Sequence, residues 1–346
     1  MATIVGYIGT YTKAESKGVY SFELDTIAKK ITDVKVAAEL SNPTYVTVSE
    51  DNTFLYAVSK EGDQGGVTAF KINSSAGLDI LNSQATKGSP PCHVSINQDN
   101  SQVVAANYHT TVIESYLTNE DGSVQPGVAV KHTGSGPHER QDKPHLHFSG
   151  FTPDEKYIVA IDLGTDRIIT YSFANGEWTE VNVLSTKPGS GPRHITFHPN
   201  GKFAYVMTEL SNEVIALNYN HEDGSFTELQ YLSAIPRDFT ENSQGSAIHI
   251  SSDGEFVYAG NRGHNSIASY RVDKNSGELT FLEWTSTEGD WPRDFAIDPT
   301  GEFVVVANQN SNTLVLFERD KETGKLSLLQ TGVEVPEAVC VKFLNN

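Results

Sequence analysis

The chain has 346 residues, with 25 Lys and Arg against 44 Asp and Glu and a net charge of −19. That excess of negative charge repels nucleic-acid phosphates and anionic bilayers. No apolar run reaches spanning length and no basic segment leads into an apolar core at the N-terminus, so a soluble, cytoplasmic protein without nucleic-acid or membrane partners is expected.

Along the chain, the first strands are expected at Thr3–Thr10 and Gly18–Leu24. From Pro43 onward a unit returns at intervals of about 50 residues. It opens on a proline-led strand and passes a polar turn: Pro43 to Asp51, Pro91 to Asp99, Pro192 to Asn200 and Pro292 to Thr300 are each eight residues apart. Asp154 and Asp253 occupy the same turn and are followed by Tyr157–Ala160 and Phe256–Ala259, so six copies share one register.

Each turn leads into an apolar strand and then an alternating one: Val67–Phe70, Val112–Tyr116, Ile168–Tyr171, Val214–Leu217, Ile267–Tyr270 and Thr313–Phe317. Such period-two patterning marks strands. Glycine turns follow at Glu222-Asp223-Gly224-Ser225, Asn275-Ser276-Gly277-Glu278 and Glu322-Thr323-Gly324-Lys325, which read as hairpin connections.

A four-stranded meander of this length cannot bury both faces until copies stack in a circle, so each unit reads as a propeller blade. The closing strand, Pro336–Phe343, is an opener with nothing after it, while the N-terminal strands lack one. Joined, they make a seventh blade that leaves no sheet edge open. The fold class is therefore all-β: a seven-bladed propeller of four-stranded antiparallel blades, one domain over residues 1–346.

In a propeller the opening strands line the central channel, so repeated positions become a ring of side chains around it. Seven residues before the turn stand Thr44, Cys92, His147, Arg193, Ser246 and Arg293; nine after it stand Lys60, Tyr108, Leu163, Glu209, Arg262 and Gln309. Equivalent positions in a purely structural repeat would match. These hold a His, a Glu and three Arg among varied types, which points to a ligand at the channel mouth.

The segment Gly191-Pro192-Arg193-His194-Ile195-Thr196-Phe197-His198-Pro199-Asn200-Gly201, with Glu209-Leu210 behind it, resembles the lactonase family of seven-bladed propellers. That family includes bacterial 6-phosphogluconolactonases and fungal carboxymuconate lactonizing enzymes. Pro144-His145-Leu146-His147, Asn261-Arg262-Gly263-His264, Pro292-Arg293-Asp294-Phe295 and the N-terminal Tyr7-Ile8-Gly9-Thr10-Tyr11-Thr12 extend the likeness from end to end.

The resemblance implies a site using His147 or His145, Arg193, Glu209 and Arg262. Register favours His147, although its blade carries two extra residues before the turn. Opening a lactone needs a base for water and positive groups where the carbonyl oxygen gains charge. Glu209 or His147 is the candidate base; Arg193 and Arg262 are candidates for the oxyanion or a substrate phosphate. Arg293, Gln309 and His145 are further substrate-binding candidates.

No cofactor or metal is expected: His145-x-His147 has no evident third ligand and no His-Glu-x-x-His helix exists. Cys92 and Cys340 are too few for a disulfide framework and read as buried free thiols, a bridge between them being the open alternative. The connection Lys131 to Lys143 is long for a hairpin and is a candidate lid, with Pro236–Gly245 flanking the same mouth. Trp291 is read as packing first, with a wall of the sugar pocket as the alternative.

The expected activity is hydrolysis of an anionic sugar-acid lactone, 6-phosphogluconolactone first. The alternatives are a cycloisomerase of a muconate-type diacid and a non-enzymatic interaction propeller. The latter predicts Trp-Asp dipeptides, and no Trp precedes an Asp here. A monomer and a homodimer are equally compatible with the sequence.

Overall fold

The computed structural model describes residues 3–174 and 176–345. Among these, 28 strands form seven four-stranded antiparallel sheets. Six are consecutive meanders, beginning at Val46, His93, Leu146, Pro192, Gln244 and Pro292 (blades one to six). In the seventh, Ala338–Phe343 pairs with Thr3–Thr10, followed by Gly18–Asp25 and Lys30–Glu39. The split blade expected from the unmatched ends is thus present, and backbone hydrogen bonds close the ring.

Pro43 and Pro91 precede their strands, which start at Val46 and His93, whereas Pro192 and Pro292 are the first residues of theirs. The final opener starts at Ala338, two residues past Pro336.

The core follows from strand alternation. In Phe203–Thr208 all six residues are buried. Phe203, Tyr205 and Met207 pack on Ile248, Val257 and Tyr270 of blade five, while Ala204 and Val206 pack on Val159 and Ile161 of blade three. Seven such clusters, one per pair of neighbouring blades, account for the ring. A strand apolar on both faces is what stacking in a circle demands.

The turn residues that set the register act as caps. Ser49 Oγ donates to Asp51 at 2.6 Å and Thr152 Oγ1 to Asp154 at 2.7 Å, while the Lys202 N–H donates to Asn200 at 2.9 Å. The glycine turns also latch neighbours together: Tyr205 Oη donates to the Gly277 carbonyl at 3.0 Å and Tyr258 Oη to that of Gly324 at 2.8 Å.

Candidate functional site

The two register rows converge at one channel mouth, on a cavity of about 480 Å³. Thr44, Cys92, His147 and Arg293 of the first row line it, with Lys60, Tyr108, Glu209 and Arg262 of the second. The first row reaches the channel by a device invisible in the sequence. The ladder slips between Leu146 and Phe148, between Pro192 and His194, and between Pro292 and Asp294. His147, Arg193 and Arg293 are therefore the extra residues of β-bulges, which turn a side chain out of the regular alternation.

Glu209 lies at the centre, 2% exposed, just past the end of Phe203–Thr208. Its Oε2 accepts from Arg193 Nε at 3.0 Å and from Arg262 Nη2 at 2.6 Å, and its Oε1 from Arg140. Arg193 Nη1 also donates to the Ser246 carbonyl at 2.7 Å, and Arg262 Nη2 to that of Gly245 at 2.6 Å. Burial by itself would raise the Glu209 carboxyl, but Arg262, then Arg193, hold it well below the usual carboxylate range. It is a fixed anion. Burial, together with Arg193 and Arg293, pulls Arg262 down to about 9, where it is still charged at neutral pH.

His147 is 4% exposed, and its Nδ1 has no hydrogen-bond partner among the described residues. Burial first, then Arg193, hold its imidazole well below the ordinary histidine value, so it is neutral at pH 7. Of the two base candidates, His147 is unprotonated at neutral pH, and Glu209 is ion-paired with its arginines.

Arg193 does not line the main cavity; it lines a small adjoining space with Tyr45, Arg293 and Asp294. His145 does not line the cavity. Its ring stacks on Tyr108 at 4.1 Å, Nδ1 meets the Tyr108 carbonyl at 2.9 Å, and Nε2 meets Asp142 at 3.0 Å, so both nitrogens are engaged. Gln309 also stays outside: its N–H donates to the Trp291 carbonyl at 3.1 Å, and Trp291 itself lines the cavity.

The Lys131–Lys143 connection reaches the mouth. Gln141, wholly buried, donates to the Leu163 carbonyl at 2.8 Å and to Asp166 at 2.7 Å; Asp166 also accepts from the Gly189 and Gly191 N–H groups at 2.7 and 2.8 Å. This knot fixes Arg140 over Glu209. Gln244, from the second flanking stretch, lines the same cavity. Cys92 and Cys340 are both free thiols. No helix of the described residues is long and apolar enough to cross a membrane.

Sequence register missed Tyr11 and Lys13, which also line the cavity. They follow the first strand of the blade split between the termini, where no turn residue exists to align them. Arg140 was visible only as a charge in a long connection.

Residues 5–343 match the family model "Lactonase, 7-bladed beta-propeller". The chain belongs to this lactonase family. It is 56% identical over its whole length to the 6-phosphogluconolactonase of Bacillus subtilis, covering 99% of that protein. Among solved structures, this lactonase-family chain superposes with a TM-score of 0.96 and 41% identity on a Lactobacillus plantarum protein, with 99% of each chain covered. A putative 6-phosphogluconolactonase from Bacteroides fragilis matches at 0.92 and 36%, over 99% of this chain and 98% of that one. The periplasmic gluconolactonase of Pseudomonas aeruginosa matches at 0.93 and 32%, over 99% of both.

Proposed function

We propose that this protein hydrolyses 6-phosphogluconolactone to 6-phosphogluconate. The observation that carries the reading is the charge of the cavity: Arg140, Arg262, Arg293, Lys13 and Lys60 line it, and among the described residues Glu209 is its one carboxylate, in a chain of net charge −19. Such a cavity draws an anion bearing more than one negative charge.

In the mechanism, the neutral His147 takes a proton from water as the water oxygen attacks the acyl carbon of the lactone. Arg262, held rigid by Glu209 and the Gly245 carbonyl, donates to the carbonyl oxygen as it gains charge. The bond from acyl carbon to ring oxygen then breaks, and the imidazolium returns its proton to the departing alkoxide. The carboxylic acid formed ionises, releasing one proton per turnover. Arg193 acts as a positioning residue by fixing Glu209 and by keeping His147 neutral.

The test is proton release on adding freshly generated 6-phosphogluconolactone, read as the excess over spontaneous opening in buffer. Wild type is expected to show an excess rate that His147→Gln lowers by about 10²- to 10⁴-fold, the usual worth of a positioned base. No wild-type excess sinks the reading.

A further inference from the structure

The cavity has two electrostatically different halves. On the side built by blades three to five, Glu209 engages Arg140, Arg193 and Arg262. Across the channel, on the side built by blades six, seven and one, Lys13, Lys60 and Arg293 face the same cavity. Among the described residues no side-chain nitrogen of these three has a carboxylate in ion-pair range; the Glu337 carboxylate accepts instead from the Lys13 main-chain N–H at 3.0 Å.

Lys13 and Lys60 are exposed at the mouth and Arg293 is half-buried, yet contacts within the fold set where all three stand. The Tyr11 ring carries Lys13 Nζ at 4.0 Å from its centroid and Arg293 Cζ at 5.5 Å. Asn42, in the left-handed region at φ 51°, accepts from the Thr12 N–H at 3.2 Å and donates its own N–H to Thr12 Oγ1 at 3.1 Å. Next to it, the Ser41 carbonyl accepts from the Lys60 N–H at 3.0 Å. One clamp therefore sets the backbones of Lys13 and Lys60 side by side. Among the described residues no Asp or Glu other than Glu209 lines this cavity.

We propose that Lys13, Lys60 and Arg293 form a phosphomonoester subsite, adjoining the Glu209 half, that selects a phosphorylated lactone over its unphosphorylated counterpart. The assignment of the ligand as a sugar lactone rests on the function proposed above. A phosphomonoester carries about −1.5 to −2 charges at neutral pH and three acceptor oxygens, which suits one planar guanidinium fork and two ammonium point charges.

The experiment uses the full chain and the double variant Lys13→Met/Lys60→Met, whose exposed side chains are not needed for folding. Calorimetry measures binding of 6-phosphogluconate, gluconate and inorganic phosphate, and kinetics measure the ratio of kcat/KM for the phosphorylated and unphosphorylated lactones. Wild type is expected to prefer the phosphorylated acid. The double variant is expected to lose about 10- to 100-fold of that preference, the range for charge-assisted hydrogen bonds.

Discrimination retained in the variant, or an equal loss for both ligands, overturns the subsite. Inorganic phosphate bound as tightly as 6-phosphogluconate overturns the phosphomonoester assignment in favour of free phosphate. If wild type opens no lactone faster than buffer, the functional reading fails on its own. The binding arm then still decides the subsite: a lysine-dependent preference for the phosphorylated acid upholds it, and its absence overturns it.

Discussion

Replacing Glu209 by Gln keeps the shape of the side chain and removes the charge that three guanidinium groups share. Arg193 and Arg262 are 2% and 3% exposed, so their charges would be left buried without a counter-ion. Breaking a buried pair in this way costs about 3–5 kcal/mol. With an unfolding entropy of roughly 2 cal/mol/K per residue over 346 residues, that loss lowers the melting temperature by about 4–7 °C.

The pH dependence of the gap is a sharper check. The Glu209 carboxyl is depressed in the folded state, so its contribution is present above the unfolded carboxyl value near about 4.3 and is lost as pH falls through the lower folded value. Calorimetric melts of wild type and Glu209→Gln should therefore differ by a constant amount from neutral pH to about 5 and converge below about 4. A variant that melts within a degree of wild type at pH 7 would refute the description of Glu209 as the anion that neutralises this half of the cavity.

Because His147 is held well below the ordinary histidine value, kcat/KM should stay level as pH falls from 7 to 6, and an inflection near about 6.5 in the pH–rate profile would contradict its depressed state. His93, driven down to about 3 chiefly by burial, joins His147 and His194 as imidazoles that stay neutral in the fold but take protons when unfolded. Stability is thus full above about 6.5 and falls below it by up to about 1.4 kcal/mol per pH unit for each, and His93→Phe, set between the Tyr45 and Phe148 rings, should flatten the slope of melts by about one proton. Gly324→Ala and Gly332→Ala both place a side chain at positive φ, at a cost of about 1–2 kcal/mol. Only at Gly324 would the new Cβ meet Phe256, at 2.2 Å, so denaturant melts should show it clearly the worse of the two; equal losses would contradict the latch between blades five and six.

Much of this was legible because the chain repeats itself. A repeated turn aligns the copies, and an aligned residue in a propeller occupies an equivalent place around one axis, so eight of the twelve register positions line the cavity. The seventh blade was legible from its unmatched ends. That His145 lies outside the cavity was not legible, because spacing says nothing about whether a ring nitrogen already has a partner; here Asp142 and the Tyr108 carbonyl take both.

Strand order, blade count, net acidity and the ring of His, Glu and Arg positions follow from periodicity or composition that the chain carries locally. How those charges pair follows from the folded ring. Bulges turn His147, Arg193 and Arg293 out of the regular alternation, the Lys131–Lys143 connection brings Arg140 onto Glu209, and the closed terminal blade brings Lys13 to the same mouth. Protonation states and free charges depend on distance and burial across blades far apart in sequence, and those exist only once the ring has closed.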